Sequence, residues 1–210
     1  MILEPLPAKI LSMRVIASAP DDMLRAYGAD PAQHVSLGLV TCDQDDSLYV
    51  ALDEATKHAA IDVVFAKSFY AGAAHASGPL SGEILGVIAG ADPEVVQAGL
   101  SALRRCLEHD ACFYAADSGG KTAVFPHVIP SLGHYLSREA GLSPGQAMAY
   151  LVAPPIESAI GLDAALKAAE VRAVKIFPPP SETNFAAAWL SGSQTDCEAA
   201  AEAFAEAIVH

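Results

Sequence analysis

Positive charge is scarce in this chain: twelve Lys and Arg stand against twenty-five Asp and Glu among 210 residues, a formal net charge of −13 at neutral pH. A surface of that sign repels phosphate backbones and anionic headgroups, so we expect neither nucleic acid nor a membrane as a partner. Long apolar runs are also missing. The longest stretch without Asp, Glu, Lys or Arg runs from Ala140 to Ile156 and is broken by Pro144, Pro154 and Pro155, so no segment reads as a membrane span. Glu4, Pro5 and Pro7 stand where a secretory signal needs a basic end and an apolar core, and we expect a cytoplasmic protein. Cysteine is limited to positions 42, 106, 112 and 197 without framework spacing, which in a reducing compartment reads as four small hydrophobes rather than disulfides.

Catalytic signatures are equally sparse. The seven histidines at 34, 58, 75, 109, 127, 134 and 210 form no H-x-x-x-H pair, and no G-x-S-x-G elbow is present. Gly119-Gly120-Lys121-Thr122 imitates the end of a phosphate-binding loop, but Ala115 stands where that loop needs its first glycine, and Pro126 follows where a helix should start. Cys106-x-x-His109-x-x-Cys112 offers three soft ligands where a structural zinc needs four. The plainer reading of that stretch is the end of an amphipathic helix. We therefore expect no resident metal, no cofactor and no enzyme.

What is present is a repeat. Arg14-Val-Ile-Ala-Ser18 answers His127-Val-Ile-Pro-Ser131, and Gly28-Ala-Asp-Pro-Ala-Gln33 answers Gly141-Leu-Ser-Pro-Gly-Gln146, both 113 residues on. Asp53-Glu-Ala-Thr-Lys57 answers Asp163-Ala-Ala-Leu-Lys167 at an offset of 110, and a strand ending at Gly90 answers one ending at Gly192 at 102. The falling offset makes the first copy longer, mostly between Lys67 and Glu83, and long loops on a repeated scaffold are where function varies. Each copy reads as mixed α/β. In the second, Glu157–Ala169 has helical spacing, Val171–Phe177 alternates as a strand, Asn184–Leu190 forms the next strand, and Thr195-x-x-Glu198 reads as a capping box for the last helix. In the first, Asp92-Pro93 starts a helix whose Val96, Leu100, Leu103 and Leu107 form one buried stripe. The copies divide near Asp110, giving domains 1–110 and 111–210.

One acidic cluster stands out: Asp43, Asp45 and Asp46, with Glu83 just after the long loop. Its plain reading is a solvated helix-starting turn. Its functional reading is a site for a small ammonium, balanced by carboxylates and an aromatic face such as Phe113.

Longer motifs then point to a family. LDAALKAAEVRAVKIFPPPSETNFAAAWLSG resembles a bacterial-microcompartment shell domain, and two in tandem resemble the tandem-domain shell proteins. AMAYLVAPPIESAIGLDAALKAAEV, FPPPSETN, DEATKHAAIDVV and SFYAGAAHASGPLSGE are similar to the trimeric shell-protein family of the ethanolamine-utilisation compartment. The resemblance implies two circularly permuted domains, each a small, mainly antiparallel sheet flanked by helices. It implies a homotrimer that forms a flat pseudohexamer, tiles with other shell proteins and passes small metabolites through a gated central pore. The pore loops would be Ser68–Ser81, with Phe69, Tyr70, Ala71, Gly72 and His75, and Phe177–Asn184, with Pro178, Pro179 and Pro180. Ethanolamine would bind Asp45, Glu83, Phe113, Thr183 and Asn184 in an inter-domain cleft. Lys57 and Lys167 would lie at disc edges, where the plain alternative is a pair of solvated helix lysines. Another class remains open, a duplicated cytosolic small-amine sensor that builds no shell.

Overall fold

The computed structural model describes residues 4–69, 82–117, 122–179 and 184–209. In chain order these form β1 (Glu4–Pro7), β2 (Ile10–Ile16), α1 (Asp21–Ala26), β3 (Ser36–Cys42), α2 (Asp45–His58), β4 (Asp62–Ser68), β5 (Ile84–Gly90) and α3 (Pro93–His109). Then follow β6 (Cys112–Ala115), β7 (Ala123–Ile129), α4 (His134–Ala140), β8 (Ala147–Ala153), α5 (Pro155–Ala168), β9 (Arg172–Phe177), β10 (Ala186–Gly192) and α6 (Gln194–Ile208). Two compact units result. The first gathers Ala8–Ala111 with Gly133–Leu136, and the second gathers the described residues of 1–7, 112–132 and 137–210.

The first unit is built on a sheet of order β2-β3-β5-β4, antiparallel throughout. Ile84, Val87 and Ile88 of β5 are fully buried, Ile88 against α3 and Val87 on the opposite face with Leu24 of α1, as β-branched residues of a central strand should be. Asp92 caps α3 by accepting the Val95 N–H at 2.8 Å, with Pro93 in the first turn, an arrangement worth about 1 kcal/mol. The stripe Val96, Leu100, Leu103 and Leu107 is at most 1% exposed, and each such side chain contributes about 1.5–3 kcal/mol by leaving water. Gly38 lets α3 this close to the sheet, since a Cβ there would meet Val96 Cγ1 at 2.8 Å.

The second unit carries the order β1-β6-β7-β8-β10-β9, again antiparallel. Its part β7-β8-β10-β9 repeats the first unit's β2-β3-β5-β4. Even an irregularity is copied: the register slips past Val64 in β4 and past Val174 in β9. Strand β8 is buried along its whole length, and its core closes around Leu151, Leu190, Cys197 and Phe204. Helix α5 lies against α6 through Gly161, where a Cβ would come within 2.6 Å of the Phe204 ring.

The mixed α/β class and the buried α3 stripe are as the periodicity predicts, and the antiparallel sheets are as the family resemblance implies. One local expectation is corrected. The cap of α6 is Ser193, whose Oγ accepts the Asp196 N–H at 3.1 Å and donates to the Asp196 carboxylate at 2.5 Å, so the box begins two residues before Thr195. Both hydroxyls sit three residues ahead of an acid, and the strand's end at Gly192 decides between them.

Candidate functional site

The register of the first unit's sheet brings Cys42, Ser68 and Ile84 level at one end. The chain leaving that end is tied down by its main chain. Glu83 N–H donates to the Cys42 carbonyl at 2.7 Å, and Phe69 N–H donates to the Glu83 carbonyl at 2.9 Å. Gly82 makes the first of these possible. Its φ is +67°, and a Cβ there would stand 2.2 Å from the Cys42 oxygen, so only glycine fits. Ser68 is held from α2, its N–H donating to the Tyr49 hydroxyl at 3.1 Å with the two hydroxyls 2.9 Å apart. Asp43 accepts the Lys9 N–H at 2.7 Å, and Asp45 and Asp46 occupy the first turn of α2.

Asp43, Asp45 and Glu83 therefore share one electrostatic environment. Burial, and then the carboxylates of Asp45 and Asp43, raise the Glu83 pKa above its ordinary 4.5. A group held this way favours its neutral form or a cation beside it. The acidic turn is thus a helix start and also a place where negative charge is crowded.

Of the other expected contacts, Phe113 lies in β6 of the second unit at 9% exposure. Its ring centroid is 4.9 Å from Phe125 and 6.2 Å from Phe185, so an aromatic cluster, and not solvent, surrounds it. Asn184 is exposed in the same unit, and Thr183 lies outside the described residues. Among the pore-loop residues, Phe69 is 36% exposed and Pro178 and Pro179 are exposed. Tyr70, Ala71, Gly72, His75 and Pro180 lie outside the described residues, as do Gly119, Gly120 and Lys121. Lys57 pairs with Glu54, and Lys167 with Asp163 at 2.7 Å. Cys106 is core, its thiol pushed up to about 12 by burial and by Glu54. His109 beside it is exposed.

Asp53 is the residue whose role sequence reasoning missed. In sequence it stands only as the repeat match of Asp163, with no role of its own. Instead it is 1% exposed and accepts the N–H groups of Gly133 at 2.7 Å and Leu136 at 2.8 Å. Thr56 adds a third bond, accepting the His134 N–H at 3.0 Å. Gly133 is required here, since a Cβ would meet the Asp53 carbonyl oxygen at 2.5 Å. The signal available in sequence was the glycine before α4, but nothing local says which carboxylate caps that helix.

Comparison with known proteins agrees with this fold and these motifs. The BMC domain family matches residues 36–124. The bacterial microcompartment shell protein EutL of Salmonella typhimurium is 48% identical over 201 residues, 95% of this chain and 91% of that protein. EutL of Clostridium perfringens is 47% identical over 199 residues, with the same coverage. The crystal structure of the ethanolamine utilization protein EutL from Leptotrichia buccalis superposes with a TM-score of 0.94 at 46% identity, over 99% of this chain and 95% of that one. A trimeric shell protein, PduB, shares the fold at 18% identity and a TM-score of 0.76, over 93% of this chain and 86% of that one. With identity near one half sustained along nearly its whole length, the chain belongs to the EutL family of bacterial microcompartment shell proteins.

Proposed function

We propose that three copies close into a flat pseudohexagonal ring, each contributing two shell domains, 1–110 and 111–210, and that these rings tile with other shell proteins in a cytoplasmic microcompartment. The ring's central pore, lined by the loops 68–81 and 177–184, passes small metabolites. Its opening responds to a small amine such as ethanolamine, whose contacts are Asp45, Glu83, Phe113, Thr183 and Asn184. The observation that supports the gating is the double role of Glu83. Its side chain is crowded by Asp45 and Asp43, while its main chain bridges Cys42 and Phe69 across the root of the long loop. An ammonium that relieves that crowding acts one peptide from the loop's anchor. It closes the pore only to the extent that it binds the closed arrangement more tightly than the open one.

Calorimetric titration with ethanolamine tests the site. Asp45→Asn combined with Glu83→Gln removes binding and leaves the solution mass unchanged, and an affinity equal to wild type sinks the assignment. The pH profile has a defined sign. An ammonium needs Glu83 ionised, and the Glu83 pKa lies above 4.5, so affinity drops as pH falls through that raised value. Glu83→Gln flattens this part of the profile.

Tiling is tested separately. Lys57→Ala and Lys167→Ala each weaken sheet formation by electron microscopy while the ring mass is kept. A lysine whose replacement leaves sheets as extensive as wild type is a solvated helix residue, and Lys167, whose side chain is 73% exposed beside Asp163, is the sharper case.

A further inference from the structure

The capping contact made by α2 has a counterpart that the described chain leaves bare. At the 110-residue offset, Asp46, Val50, Asp53 and Thr56 of α2 correspond to Ile156, Ile160, Asp163 and Leu166 of α5. The four on α2 are buried, none above 9% exposed, and Gly133, His134 and Leu136 are bonded to Asp53 and Thr56. The counterparts on α5 face solvent: Ile156 is 71% exposed, Ile160 53% and Leu166 40%. Two isoleucines one turn apart on the outside of a helix make an apolar patch without an evident role in the chain's own core.

The cover has a counterpart too. At the 113-residue offset, Gly133–Leu136 corresponds to Pro20–Met23, and α1 begins at Asp21 as α4 begins at His134. Pro20 is exposed, and the Asp21 and Asp22 side chains are 66% and 103% exposed. The chain thus holds two helix faces and two helix starts of the same descent. One face and one start are joined, and the other face and the other start are both open.

We propose that Pro20–Met23 of one copy covers the Ile156–Ile160–Leu166 face of α5 on the next copy, head to tail, and that this contact closes the ring; the proposal rests on the trimeric reading above. A heterologous contact of this kind generates a ring when its rotation closes. The chemistry of the junction changes in a consistent way. Pro20 has no N–H where Gly133 donates one, and Leu166 has no hydroxyl where Thr56 accepts, so a polar clamp is replaced by an apolar one at the same place. Pro20, with the part of Met23 that its own core leaves uncovered, supplies the apolar atoms. Within each copy Lys167 is paired with Asp163, and Arg25 with Asp21 and Asp22, which leaves one carboxylate charge in excess at the cover.

Light scattering on wild type and on the Ile156→Glu, Ile160→Glu double variant tests this. Both side chains are more than half exposed, so each variant chain keeps its fold and the wild-type far-UV circular dichroism. The expected result is three times 21.7 kDa for wild type and a single chain for the variant. A trimeric variant overturns this contact and leaves the trimeric reading standing, whereas a monomeric wild type overturns the trimeric reading and this contact with it. A second pair identifies the cover. Ile160→Glu alone loses the ring, and adding Asp22→Lys in the same chain restores it by meeting the new carboxylate. Loss without restoration assigns the face to another cover and overturns the role of Pro20–Met23.

Discussion

Asp53→Ala lowers the melting temperature of this protein by roughly 10 °C. In sequence the residue matches Asp163 of the second copy, but the fold buries it to 1% exposure and gives it two backbone donors at 2.7 and 2.8 Å. Hydrogen bonds to a charged acceptor contribute about 1.5–3 kcal/mol each, and the alanine variant leaves both N–H groups buried without an acceptor, a loss of about 3–5 kcal/mol. Asp53→Asn keeps one acceptor and turns an amide N–H toward the other donor, so it falls between wild type and alanine. Thermal melts followed by circular dichroism read both. A shift of under about 2 °C for Asp53→Ala, less than 1 kcal/mol at this chain length, shows that the clamp is not a stabilising element.

The same residue carries a pH signature of definite sign. Burial raises the Asp53 pKa above 3.8 against the lowering influence of the Gly133 and Leu136 N–H groups. The folded chain therefore holds this proton more tightly than the unfolded chain does. The pH-dependent part of its contribution to stability is fully present below 3.8 and is lost as pH rises through the raised folded value, while the two N–H bonds to the carboxylate remain above it. The difference between wild type and Asp53→Asn, measured across that window, contains this slope.

Gly82→Ala disrupts the proposed amine site without removing any of its carboxylates. Gly82 has a φ of +67°, and an added Cβ stands 2.2 Å from the Cys42 carbonyl oxygen. The left-handed conformation alone costs a non-glycine residue about 1–2 kcal/mol, and the overlap, which is with backbone rather than a flexible side chain, adds about 1–3 kcal/mol. The strain is relieved by moving Glu83 away from Cys42, which breaks the 2.7 Å bond that positions it. The expected outcome is a lower melting temperature together with at least about a tenfold loss of ethanolamine affinity, equivalent to 1.4 kcal/mol. Wild-type affinity in a correctly folded Gly82→Ala chain shows that Glu83 need not be held at the loop root for the amine to bind.

Much of this protein was legible before its fold was known, and the reason is periodicity. The α3 stripe, the Asp92-Pro93 start and the strands ending at Gly90 and Gly192 follow from local spacing, because a helix or strand face is set by residues within a few positions of one another. The duplication was legible for a similar reason, since matching segments keep matching patterns. The cap of α6 was misplaced by two residues because Ser193 and Thr195 carry the same chemistry in sequence, and only the end of β10 separates them.

The sequence by itself determined the class, the repeat and the family of this chain, and it named Asp45 and Glu83 as acids near a variable loop. Tertiary structure decided what those acids and their relatives do. It crowded Glu83 against Asp45 and Asp43 while hanging the loop root on its main chain, and it packed rings around Phe113. It also made opposite uses of Asp53 and Asp163, two aspartates in equivalent places, burying one under Gly133–Leu136 and leaving the other on the surface beside Lys167. Local sequence encodes which face of a helix is apolar or polar, but the partner of that face comes from residues about eighty positions away, and burial, which sets the energy of every such contact, exists only once the chain has closed upon itself.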